Sequence, residues 1–144
     1  MARAVRGEMP VAFHYTPGVG NAAFFEALRA RGAFLGSRCD ACAVTYLPAR
    51  IFCERCFAAL GPGVECGPGG TLESYTVAHV DVDEATMQEP VTVGLVRLDG
   101  ADTVLLHRLL GAEDWDIGMR VEASLRPAGE RVGSILDVEG FRPA

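Results

Sequence analysis

Hydrophobic and polar positions change their rhythm twice along this chain of 144 residues. Residues 1–20 carry Pro10, Pro17, Gly18 and Gly20 without a period, which predicts an extended lead-in. In residues 21–35, Phe24, Phe25 and Leu28 form one apolar stripe, Asn21 can cap its start, and Gly32 can stop it behind Arg29 and Arg31. That pattern predicts a short helix over 22–31. So short a helix is marginal alone, so the stripe needs a cover: first the domain beneath it, second a partner, which would make Phe24, Phe25 and Leu28 partner-facing. Residues 36–66 suggest two short strands, 45–47 and 50–52, turned at Pro48. The stretches Gly61-Pro62-Gly63 and Gly67-Pro68-Gly69-Gly70 then mark a module boundary, and residues 67–144 read as a separate domain.

Beyond Gly70 the period becomes that of strands. Residues 72–82 are rich in β-formers, and 91–98 are apolar almost throughout, as in a strand buried on both faces. Asp99-Gly100 predicts a tight hairpin into 103–110. Met119, Val121, Ala123 and Leu125 alternate with Arg120, Glu122, Ser124 and Arg126, and 135–141 make a fifth strand. Five short strands, a break at 111–118 and no long helix predict a mainly β protein ending in a five-stranded barrel of the OB type, with a generic antiparallel sandwich as the alternative.

The chemistry concentrates in Cys39, Cys42, Cys53 and Cys56, two Cys-x-x-Cys pairs with ten residues between them. Each pair presents two thiolates from one turn, and two such turns make a tetrahedral site suited to structural Zn²⁺. Four protein ligands close the coordination sphere, leaving no position for substrate. Iron in the same four thiolates would make an electron carrier, since ligand type alone does not choose between these metals. A redox dithiol lacks the βαβ setting it normally uses, and disulfides are disfavoured by a reducing compartment and an odd cysteine count. Cys66, in a glycine-rich stretch, has no histidine near it in sequence to activate it.

Composition narrows the function classes. All 13 basic residues are arginine, acids outnumber them to give a net charge of −6, and no apolar run approaches the length of a membrane span. The first residues lack the apolar core of a secretory signal, so a cytoplasmic location is expected, without membrane association. The acidic balance argues against a nucleic-acid partner, and Tyr75, Trp115 and Phe141 are the only aromatics beyond Gly70 for stacking bases. A single-strand-binding OB module remains the alternative. His14, His79 and His107 accompany no nucleophile motif and read first as hydrogen-bonded structural residues. Asp81, Asp83 and Glu84 read as a solvated turn. Arg97, Arg108 and Arg126 read as exposed solubilising charges that could otherwise line a phosphate groove. No catalytic residue is predicted.

The succession of parts is more specific than any one of them. Phe24-Phe25-Glu26-Ala27-Leu28 precedes Arg38-Cys39-x-x-Cys42, Leu47-Pro48-Ala49-Arg50 and Cys53-x-x-Cys56; Gly70-Thr71-Leu72, Pro90, Val96-x-Leu98-Asp99-Gly100 and Ile117-Gly118-Met119-x-Val121 follow. Over residues 20–143 this resembles the family with an N-terminal helix, a rubredoxin-like zinc ribbon and a C-terminal OB fold known as domain of unknown function thirty-five. The resemblance implies an accessory subunit that binds a thiolase, a hydroxymethylglutaryl-CoA synthase, a thiolase-like aldolase or a MaoC-like hydratase and shapes its acyl-CoA site. It implies zinc ligation by Cys39, Cys42, Cys53 and Cys56. Ala43 stands where the family commonly has glycine, and Ala49 where it has the second proline of Pro-Pro-x-Arg. Neither change removes a ligand, though the first is expected to weaken one N–H to sulfur contact.

Overall fold

The computed structural model describes residues 7, 11–83 and 85–144, so most of the first ten residues of the lead-in, and Glu84, lie outside the described residues. Residues 11–17 have no regular structure and are exposed, with the rings of Phe13 and Tyr15 stacked 5.9 Å apart. Helix α1 spans Gly18–Arg31, starting three residues before the expected cap at Asn21. Pro17 occupies the N-cap position with helical dihedrals and no side-chain cap. Packing explains the earlier start: the first turn lies against the chain at Ala49, so close that a Cβ on Gly20 would overlap the Ala49 carbonyl oxygen. Gly32 ends the helix as expected, at φ 68°, its N–H donating to Leu28 O at 2.9 Å.

A three-stranded sheet follows, β1 (Phe34–Cys39), β2 (Val44–Tyr46) and β3 (Val64–Cys66), in the order β2-β1-β3. This differs from the predicted pairing of 45–47 with 50–52. The turn of the first cysteine pair is itself the hairpin, with Cys39 opposite Val44, so β2 finds its partner upstream. Pro48 has no N–H to continue a ladder. Residue 50 is held instead by Ser37, whose Oγ donates to Arg50 O at 2.8 Å and accepts from Arg50 N at 3.0 Å. The glycine-rich boundary also hides a strand, because Cys66 is buried opposite Phe34 in the β1–β3 pairing.

The C-terminal sheet contains β4 (Gly69–Val80), β5 (Thr86–Leu98), β6 (Leu105–Arg108), β7 (Arg120–Leu125) and β8 (Val138–Pro143), ordered β6-β5-β4-β7-β8. Its two ends meet where Leu109 bridges Phe141 in parallel and Leu110 N donates to Phe141 O at 2.8 Å. A third-second-first-fourth-fifth order closed in parallel between third and fifth strands is the OB topology. Two local expectations change. Residues 99–104 form a six-residue connection rather than a two-residue hairpin. Ile135–Asp137 is a 3-10 turn rather than the start of a strand, because Ser134 and Asp137 form a capping box around it.

One core unites helix, ribbon base and barrel: Phe24, Leu28, Phe34, Leu47 and Cys66 pack with Leu72, Val96, Leu98, Val121, Val138 and Phe141. Phe24 and Leu28 are fully buried there and Phe25 is half-buried against the same core, which corrects the partner-facing reading of this stripe. The barrel itself covers the helix. A second, smaller cluster gathers Cys39, Val44, Tyr46 and Cys53, with Cys42 and Leu60 against it.

Candidate functional site

The two cysteine turns bring four sulfurs together. The Sγ atoms of Cys39, Cys42, Cys53 and Cys56 all lie within 4.8 Å of one another, and those of Cys39 and Cys56 are 3.6 Å apart. Four thiolates at zinc–sulfur distances of about 2.3 Å stand about 3.8 Å apart in a tetrahedron, so the donor set fits Zn²⁺ in both number and spacing. Cys39 and Cys53 are buried, Cys42 is half-buried and Cys56 exposed. Zinc here is structural, holding two turns that the small cluster of apolar side chains around them could not hold alone.

The local backbone follows from the ligand geometry. After each pair comes a left-handed residue, Ala43 at φ 53° and Phe57 at φ 59°. That conformation is costly for a residue with a Cβ, and it explains why glycine suits position 43. Ala43→Gly is therefore expected to stabilise the protein by about 0.5–1 kcal/mol, the relief of left-handed strain less the entropy glycine gains when unfolded. Thermal melting of the zinc-loaded protein checks this. An unchanged or lower midpoint would contradict it.

Tyr46 is a functional residue that the spacing did not reveal. Fully buried on β2, it brings its hydroxyl to 3.3 Å from Cys53 Sγ. Donation from Tyr46 is the largest influence on Cys53; with the N–H groups of Cys56 and Arg55 it outweighs burial and draws the thiol down to about 6. The same bond and burial push the Tyr46 phenol up to about 12. Arg50 lies over the Tyr46 ring at 4.7 Å and pairs with Glu54, bracing the second turn from outside. Tyr46→Phe keeps the ring and removes the donor, so zinc affinity is expected to fall about tenfold with the fold intact. Competition with a zinc-sensitive chelator measures it, and equal affinities would contradict the role.

The 99–104 connection ties this centre to the barrel. Asp102 Oδ2 accepts from Thr45 N at 2.8 Å, and Asp102 N donates to Thr45 O at 2.9 Å. Thr103 Oγ1 accepts from Leu47 N and donates to Leu47 O, both at 2.8 Å. No sequence spacing could announce a clasp between residues almost sixty positions apart.

The remaining candidates separate. Cys66 is buried in the core, and burial, then the nearby Asp102 charge, push its thiol up. His14 and His79 are exposed. His107 is half-buried, with Nε2 3.3 Å from Ile135 O, and burial lowers its pKa. Asp81 Oδ1 accepts from the N–H groups of Asp83 and Ala85, which makes it the organiser of a turn. Arg108 and Arg126 line one small cleft with His107 and Glu139, whereas Arg97 pairs with Glu73 at 2.6 Å and stands apart. Trp115 and Phe141 are core residues, so neither offers a face for base stacking.

Comparison with known proteins agrees with this architecture. Residues 27–60 match a family model described as "ChsH2, rubredoxin-like zinc ribbon domain", and residues 63–126 match "ChsH2, C-terminal OB-fold domain". A solved structure described as "Ltp2-ChsH2(DUF35) aldolase" contains a chain 29% identical to this one at a TM-score of 0.63, over 89% of this chain and 98% of that one. A crystal structure of a DUF35-family protein of unknown function from Sulfolobus solfataricus is 27% identical at a TM-score of 0.63, over 74% of this chain and 78% of that one. No curated protein sequence matches. With both domains matched in order and the four ligands in place, the chain belongs to the DUF35 family, a ChsH2-type zinc ribbon followed by a ChsH2-type OB fold.

Proposed function

We propose that this chain is a non-catalytic accessory subunit of an acyl-CoA-processing enzyme, with a thiolase-like aldolase as the first partner. The observation that carries this reading is its likeness, over 98% of that chain, to a chain of the Ltp2-ChsH2 aldolase. The chemistry supports it. The four thiolates close the metal site, and the free thiol, Cys66, is buried and pushed toward its unreactive protonated form. What the chain offers an enzyme is a rigid shaped surface beside the acyl-CoA site, with its own contact to the acyl-CoA. A thiolase or a MaoC-like hydratase is the next partner in line on the family resemblance. Mixing the purified chain with the aldolase subunit of the same genome tests this: a complex by size exclusion and a change in aldol-cleavage turnover are expected. Neither a complex nor any change in turnover, with hydratase and thiolase equally unaffected, would refute the proposal.

A further inference from the structure

Strands β4 and β5 run on past the barrel that the other strands close. β7 pairs with β4 only at Gly69, Gly70 and Thr71, and β6 with β5 only from Val93 to Val96. From residues 74 to 80 and 86 to 91, each of these two strands is therefore laddered only to the other among the described residues. A lone two-stranded ribbon is marginal in water and leaves two unpaired edges. This one also exposes Tyr75, Val77, Val80 and Val82, Val82 almost completely at 98%. At its base lies a shallow apolar groove of about 210 Å³, where Val93, Leu95 and Leu106 meet Ser74, Tyr75 and Thr76. The run at 91–98, apolar almost throughout and suggestive of a strand covered on both faces, thus has one face half-open.

The charges say what kind of surface would cover it. Between residues 74 and 92 the sequence has four acids and no arginine or lysine. Asp81 spends its carboxylate within the turn, while Asp83 and Glu89 are exposed and enter no ion pair among the described residues. A second copy of a chain with net charge −6 is a poor match for an acidic arm. A groove with an apolar floor and a basic rim is a good one.

We propose that the β4–β5 arm is the docking element for the partner enzyme, inserting its valines into an apolar groove and setting Asp83 and Glu89 against arginine or lysine side chains on the rim. This rests on the accessory-subunit reading above. The test measures the dissociation constant of the aldolase subunit for the full-length chain and for two double variants, Val77→Ser with Val80→Ser and Asp83→Arg with Glu89→Arg. Each is expected to raise the constant at least tenfold, and the charge reversal should also flatten its salt dependence. Zinc content and melting temperature confirm that the variants fold. Hydrogen exchange on the unaltered complex provides a second readout, with amides of 74–80 and 86–91 slowed at least tenfold by the partner. A complex with unchanged affinities and no slowing on the arm would overturn the docking role and leave the accessory reading standing. No complex of the unaltered chain with the aldolase, thiolase or hydratase subunit would overturn both. Self-association lost in the variants while partner binding persists would assign the arm to a second copy, and overturn the proposal too.

Discussion

Cys53→Ser is expected to abolish stoichiometric zinc and to melt the ribbon tip, while the barrel strands stay folded. The cluster around the metal is small: Cys39, Val44, Tyr46 and Cys53 with Cys42 and Leu60. So few apolar groups cannot repay the cost of ordering two turns with left-handed residues at Ala43 and Phe57. Structural zinc contributes on the order of 10 kcal/mol to such a fold, and loss of one buried thiolate removes most of that affinity. The barrel has its own core in Leu72, Val96, Leu98, Val121 and Phe141. Zinc analysis with residue-resolved hydrogen exchange tests both halves. Amides of the two cysteine turns, 39–44 and 53–58, should lose protection, and those of Val96 and Val121 should keep it. A variant that retained one zinc per chain and native exchange would contradict this role for the metal. Purified wild-type protein should be colourless, since iron in this site would make it red.

Asp137→Ala should destabilise the barrel side of the molecule by about 3 kcal/mol, because three backbone N–H groups lose the buried, charged acceptor that gathers them. The carboxylate is fully buried. It accepts from Val132 N at 3.0 Å, Gly133 N at 2.7 Å and Ser134 N at 3.2 Å, which fixes the loop running under α1. For a chain of this size, that corresponds to a fall in melting temperature of roughly 10 °C. The pH dependence identifies the cause. Burial alone would raise this pKa, but the three N–H groups and the nearby Arg126 charge outweigh it and hold Asp137 below the ordinary aspartate value of 3.8. A lowered folded-state pKa gives stability that is complete above 3.8 and is lost as pH falls from there through the folded value. The gap between wild type and Asp137→Asn should therefore be widest near neutrality and shrink in acid. A gap that stayed constant to pH 2 would contradict the charge-assisted role.

Much of this was legible in the sequence because the signals are local. Cysteine spacing identified all four sulfurs, alternation at residues 119–125 marked β7, and Gly32 stopped α1 where its positive φ requires. Long-range choices were hidden. The stripe of Phe24 and Leu28 shows only that the helix needs a cover, and the cover is a barrel whose residues begin some fifty positions later. The partner of β2 lay upstream because the cysteine turn is the hairpin, and the clasp by Asp102 and Thr103 joins segments whose spacing carries no signal. Asp137 could have been found: Ser134-x-x-Asp137 is a capping-box pattern, and it displaces the start of β8 to Val138.

The zinc is structural, its coordination closed by the four cysteine sulfurs. X-ray absorption at the zinc edge, recorded on the chain alone and then on the chain mixed with the proposed aldolase partner and acyl-CoA, is the decisive test. Four sulfur neighbours at about 2.3 Å are expected in both samples, with no change on addition of acyl-CoA. An oxygen or nitrogen neighbour, or a coordination sphere that alters with acyl-CoA, would contradict it.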